Sequence, residues 1–199
     1  MLPSDRACPA PSPATADLAP SAFHAHQIRL LSGADAAAFQ ALRLEALERH
    51  PAAYAAAPEE EAGRSLEEVA LRLDAGAVFG AFVAGRLVGS AGFARPERTK
   101  KAHKGVLWGV YVQADVRGQG LGRRLVEAVT GHARGRVEQL HATVSTSNLA
   151  ARELYRRLGF QTYGLEPRGL KVGETYFDQE LMVLLFHDRG RSQTPAPPG

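Results

Sequence analysis

The chain has a single cysteine, Cys8, in 199 residues. A lone thiol excludes an internal disulfide and fits a reducing compartment, so a cytoplasmic location is expected. Aromatic residues are scarce at 7%, and no apolar run approaches the ~18 residues of a membrane-spanning helix. The N-terminus has neither the basic start nor the apolar core of a secretory signal. Charge of one sign is missing too: 24 Lys and Arg face 21 Asp and Glu, a formal net charge of +3. That balance admits acidic ligands such as phosphates and does not argue for nucleic acid. His103, His132 and His141 stand at no ligand spacing with cysteines or acids, so no metal site is expected. What remains, 45% hydrophobic and 23% charged residues, suits one ordinary globular domain.

Residues 1–26 are rich in Pro and Ala with few bulky apolar groups, and cannot bury enough surface to offset ordering entropy. They read as a disordered leader, and 189–199 as a disordered tail, leaving a folded domain over 27–188. Within it, 27–31 reads as a strand, and Ser32 to Asp35 has the spacing of a capping box for a helix carrying Phe39, Leu42, Leu44 and Leu47. Ser65 and Glu68 cap a second helix with Leu66, Val69, Leu71 and Leu73. Residues 77–84 and 87–93 form a hairpin about Gly85-Arg86. Residues 106–112 are too apolar for a solvent-facing edge strand. Leu121, Leu125, Val126 and Val129 mark one face of a further helix, and 140–144 a strand. Asn148 caps a short helix over 149–158 that stops at Gly159, and 179–186 is a closing strand. The fold class is mixed α/β: a twisted sheet of six or seven strands flanked by about four helices.

Arg117-Gly118-Gln119-Gly120-Leu121-Gly122-Arg123 lies between the apolar strand and the helix that follows. A helix start has unpaired N–H groups and a partial positive charge, so it binds phosphate, and glycines let the phosphate approach the backbone. The spacing is not that of a dinucleotide fold, which wants G-x-G-x-x-G and an acid ending the next strand. Nor does Gly122 precede the Lys-Ser/Thr of a nucleotide-hydrolase loop. Arg123 and Arg124 open a helix where its dipole disfavours cations, which makes sense if a pyrophosphate sits there.

The run from Val110 through Gln113, Asp115 and Arg117-Gly-Gln-Gly-Leu-Gly-Arg123 resembles the acetyl-coenzyme A motif of the GNAT superfamily of N-acetyltransferases. Ser147-Asn-Leu-Ala-Ala-Arg-Glu-Leu-Tyr-Arg-Arg-Leu-Gly-Phe160 resembles its second motif, in the right order. The segment from Leu42 through Leu47, with Pro51-Ala-Ala-Tyr54 after it, is similar to the first-helix region of many small bacterial members. The resemblance covers about 27–186 and implies acetyl-CoA as cosubstrate, an amine acceptor (small molecule or protein), and direct transfer in a ternary complex. It implies that the backbone of Val110, Tyr111 and Val112 pairs with the pantetheine arm, that Gly118 to Arg123 wraps the pyrophosphate, and that the sheet splays between the two central parallel strands. Tyr155 would stand beside the coenzyme sulfur as proton donor, Asn148 would contact the coenzyme as well as cap its helix, and the Val112 N–H would meet the oxyanion.

The general base is not evident. Thr143 stands where some protein-acetylating members place a glutamate, so deprotonation is expected through ordered water or by Glu45, Glu166, Asp178 or Glu180. A catalytically silent acyl-CoA sensor is the alternative reading. Trp108 and Tyr111, at odd spacing on one strand, are expected on opposite faces of the sheet. The basic run from Arg95 to Lys104 lacks interleaved aromatics, so a solvated hairpin tip fits it better than nucleic acid. Glu166 and Asp178 suggest a cationic acceptor. No membrane partner is expected, and association into a homodimer is compatible with the sequence.

Overall fold

A computed structural model describes residues 26–186. The expected leader and tail therefore lie outside the described residues, apart from His26 at the leader's end. Twelve elements follow: β1 (Gln27–Leu30), α1 (Ala36–Arg49), α2 (Pro58–Ala62), α3 (Leu66–Ala75), β2 (Ala77–Val83), β3 (Arg86–Ala94), β4 (Lys104–Val112), α4 (Leu121–Ala133), β5 (Gln139–Ser145), α5 (Leu149–Arg157), β6 (Gln161–Val172) and β7 (Thr175–Leu185). The strands form one seven-stranded sheet in the order β1-β2-β3-β4-β5-β7-β6. Only the central pair β4–β5 runs parallel, because α4 crosses between them; the others are antiparallel.

Each face of the sheet has its own apolar core. Phe39, Leu42 and Ala46 of α1 and Val69 and Leu73 of α3 pack on Val78, Phe82 and Leu87. Leu121, Leu125, Val126 and Val129 of α4 pack with Leu140, Val144, Tyr155 and Met182. The i, i+4, i+5, i+8 spacing in α4 turns those four residues to one side, and all are at most 1% exposed. Ser65 caps α3 by accepting from Glu68 N–H at 3.2 Å, while Glu68 Oε2 accepts from Ser65 N–H at 2.8 Å.

Two elements escaped the sequence reading. The short α2 starts on Pro58, and β6 with the first half of β7 forms a long hairpin where only a closing strand over 179–186 was expected. That hairpin carries Tyr163, Leu165 and Tyr176 in the open, and its register slips twice, so the alternation that betrays a half-buried strand is absent.

The Ser32–Asp35 box caps a short turn that leads into α1, with Asp35 Oδ2 accepting from Ser32 N–H at 2.9 Å. Arg29 of β1 grips both Asp35 oxygens, at 2.7 and 2.8 Å. These hydrogen bonds from Arg29 pull the Asp35 carboxyl from its ordinary 3.8 down to about 2. A lowered folded value means the stabilisation is full above the unfolded pKa and is lost as pH falls through the folded one. Melting curves of the native protein and Asp35→Asn are thus expected to differ at pH 5 and to converge between pH ~4 and ~2. A gap that stays constant down that range would refute the coupling.

Candidate active site

The parallel ladder pairs Lys104 with Gln139, Gly105 with Leu140 and Val106 with His141, and there it ends. β5 stays paired with β7 as far as Ser145↔Gln179, so the two central strands part from Leu107 onward. The cause sits in β4. Gly109 has φ +63°, and the β3 register jumps from Gly92↔Trp108 to Ser90↔Tyr111. Two β4 residues, Gly109 and Val110, thus stand opposite one, Ala91: a β-bulge that needs glycine at its left-handed position. The extra residue also corrects the expectation for Trp108 and Tyr111. Both pack against the α1–α3 face, because a bulge flips the alternation of every residue beyond it.

The parted strands open a groove of about 780 Å³. Val110, Tyr111 and Val112 line it along β4, Asn148 and Leu154 along α5, and the α4 loop closes one end. In that loop Gly118 and Gly120 have φ of +80° and +75°, a left-handed path that L side chains resist. A Cβ at either would meet nothing within 4 Å, so the backbone faces open space. Among the described residues, Arg49, His50, Arg117 and Arg123 line the groove and no carboxylate does. Arg117 donates through Nε to Val112 O at 2.9 Å and lies 3.0 Å from His50 Nε2. Burial, with Arg117 and Arg49 adding to it, lowers the His50 pKa. The ring is therefore neutral at pH 7 and accepts from Arg117 through Nε2.

The site residues named from the sequence largely meet here. Val110, Tyr111, Val112, Arg117, Gly118, Gly120, Leu121, Gly122, Arg123 and Asn148 all line the groove; Gln119 and Tyr155 do not. Asn148 caps α5, its Oδ1 accepting from Ala151 N–H at 3.1 Å. Tyr155, 6% exposed, lies in the core beside the groove-lining Leu154, its ring 5.6 Å from Phe160. Burial, reinforced by nearby Tyr54, pushes its phenol far above the ordinary tyrosine range. Tyr54 was not singled out for chemistry, yet its hydroxyl donates to Val110 O at 2.9 Å. Burial raises it to about 12 against the pull of Arg43. Only its place after the α1 segment pointed to it in the sequence.

The carboxylates considered as bases are engaged elsewhere or exposed. Glu45 accepts from Tyr111 Oη at 3.0 Å and Gln113 Nε2 at 2.6 Å, and pairs with Arg49 at 3.2 Å. Glu180 is held by Arg152, Arg156 and Thr162. Burial pushes its pKa up, but the hydrogen bonds from Arg152 and Thr162, with both arginine charges, carry it below the ordinary value. Asp178 is exposed and accepts from Arg168 N–H at 2.8 Å, and Glu166 is exposed. Among the described residues, no cluster of three His, Cys, Asp or Glu could hold a metal ion, and no helix is long and apolar enough to cross a membrane.

Residues 39–160 match the acetyltransferase (GNAT) family. The chain belongs to that family. N-alpha-acetyltransferase RimI of Mycobacterium tuberculosis is 42% identical over 93 residues, which is 47% of this chain and 57% of that protein. The match thus spans just over half of that relative's length. A GNAT acetyltransferase from Streptococcus pneumoniae superposes with a TM-score of 0.73 at 27% identity, over 82% of this chain and all of the other. Salmonella typhimurium yncA, solved with its cofactor acetyl-CoA, shares the fold at a TM-score of 0.70 and 22% identity, over 86% of this chain and 99% of its own.

Proposed function

We propose that the protein transfers the acetyl group of acetyl-CoA directly to a primary amine of a small molecule or protein. The observation that carries this reading is the groove between β4 and β5: lined by arginines, with no carboxylate among the described residues, and bordered by a left-handed glycine loop at a helix start. The α4 N-terminus and Arg117–Arg123 take the pyrophosphate, and the edge of β4 that β5 leaves beyond Val106 takes the pantetheine arm as an added strand. The amine attacks the thioester carbonyl, and the Val112 N–H stabilises the oxyanion. As the C–S bond breaks, the Tyr155 phenol hydrogen-bonds to the departing sulfur, and water carries the proton lost by the attacking nitrogen away and returns one to the thiolate. The products are the acetylated amine and free coenzyme A, with no acyl-enzyme.

Water is the proposed route because no carboxylate among the described residues lines the groove and Glu45 is engaged by Tyr111 and Gln113. The test is calorimetric titration with acetyl-CoA, then thiol release with an amine panel. Saturable binding with amine-dependent thiol release is the expected result. Binding without release from any amine would favour the acyl-CoA sensor, and no binding would overturn the proposal.

A further inference from the structure

A second cavity, about 1060 Å³, opens on the α1–α3 face of the sheet. It shares no lining residue with the cofactor groove. The two meet at one stack of side chains. Tyr54, whose hydroxyl binds Val110 O, lies under the Arg43 guanidinium at 4.9 Å, and Trp108 flanks the same guanidinium at 6.0 Å. Arg43 is 9% exposed, and its Nη1 has no hydrogen-bond partner among the described residues. That nitrogen lies 3.8 Å from where a Cβ on Gly109 would stand, so it rests against the bulge that opens the active site.

An arginine stays charged when buried, and a buried guanidinium N–H without an acceptor is a costly arrangement that native structures rarely leave unmet. Glu61, the acid whose charge acts on Arg43, gives Nη1 no hydrogen bond. Glu61, 5% exposed, faces Arg72 at 3.6 Å and Arg64 at 4.0 Å. Arg95 joins Arg43, Arg64 and Arg72 around the cavity against only Glu60 and Glu61. The site thus has excess positive charge and a fork geometry suited to a carboxylate.

Resting on the acetyl-transfer reading, we propose that this cavity is the acceptor site and that Arg43 binds the acceptor's own carboxylate. The acceptor class is then the α-amino acids and their close analogues. A carboxylate on Nη1 would stand beside Gly109, the residue before Val110 on the groove, which favours an acceptor whose amine lies close to its carboxylate. The rest of the molecule extends between Trp108, Phe39 and Leu73. Glu61 Oε1, ion-paired with Arg72 at 3.6 Å but without a hydrogen bond among the described residues, offers an acceptor to a donor on that side chain. A polyamine or a protein N-terminus, lacking a nearby carboxylate, leaves Arg43 unmatched.

The test compares free amino acids with their carboxamides as acceptors for the full chain at saturating acetyl-CoA, reading thiol release. The native protein is expected to favour acids by at least tenfold in kcat/KM. Arg43→Gln is expected to bring the ratio of acid to amide near one, and Arg43→Lys to retain part of it. Because the ratio is internal to each variant, partial loss of folding does not distort it. Turnover of amides as fast as acids, or an unchanged ratio in Arg43→Gln, would overturn the carboxylate assignment while leaving acetyl transfer standing. Thermal-shift titration with the same amino acids separates the other failure. Arg43-dependent binding without thiol release would overturn acetyl transfer and keep the carboxylate site, and neither binding nor turnover would overturn both.

Discussion

Replacing Tyr155 with Phe is expected to lower kcat by about a hundredfold or more while leaving acetyl-CoA affinity within about threefold, the range for loss of a positioned proton donor. The substitution keeps the ring, and with it the packing on Phe160 at 5.6 Å, so stability should change little. The size of the loss follows from the site's polarity. Burial holds the Tyr155 phenol protonated across the working pH range. A thiol has an ordinary pKa of about 8.5, so complete transfer from this phenol to a thiolate is uphill. In the proposed mechanism the group therefore acts as a hydrogen-bond donor whose interaction strengthens as charge gathers on sulfur, a gain confined to the transition state.

Two consequences make the claim specific. The kcat profile should show no limb from Tyr155 ionising below pH 10, since the phenol stays protonated there. The loss should appear in kcat rather than in KM for the amine, because the hydroxyl is proposed to face the leaving group and not the acceptor. A Phe variant within threefold of the native kcat, at saturating concentrations of both substrates, would remove Tyr155 from the mechanism.

The cofactor side was more legible in the sequence than the acceptor side, for physical reasons. A phosphate site is local: its glycines, its helix start and the strand before it lie within about twenty consecutive residues, so spacing alone conveys it. The same holds for the α4 and α5 faces, whose period is short and regular. The proposed acceptor side is assembled from α1, the α2–α3 segment, the ends of β2 and β3 and the first half of β4, and no contiguous motif carries it. Gly109 shows the limit well. A glycine inside a strand hints at a bulge, but only the register against β3 reveals that it turns Trp108 and Tyr111 to one face. Arg43 reads in the sequence as one more surface charge on a helix. Its burial, and the absence of a hydrogen-bond partner for Nη1, depend on Tyr54 and Trp108, which are distant in the chain. The β6–β7 hairpin was missed for the opposite reason: it is so exposed that its composition looks like loop.

Gly120→Val should weaken acetyl-CoA binding by about a hundredfold, roughly 2.7 kcal/mol, comparable to one or two charge-assisted hydrogen bonds. Space is not the direct cause in the free protein, since a Cβ at Gly120 meets nothing within 4 Å. The cause is conformation. Gly120 is the residue before α4 and holds φ +75°, which a β-branched residue resists by about 1–2 kcal/mol. Relaxing that strain rotates the N–H groups that must converge on the phosphates. Gly131→Ala supplies the contrast on the same helix: its φ is not left-handed and a Cβ there also meets open space, so it should stabilise α4 by about 0.5–1 kcal/mol and leave binding alone. Gly120→Asn then separates the two ways a glycine serves a phosphate. Asparagine tolerates the left-handed region, so recovery of affinity would assign the role to backbone geometry. Continued weakness at a native melting temperature would assign it to close approach of the phosphate. Binding by Gly120→Val within threefold of the native protein would mean that the pyrophosphate does not sit at the start of α4.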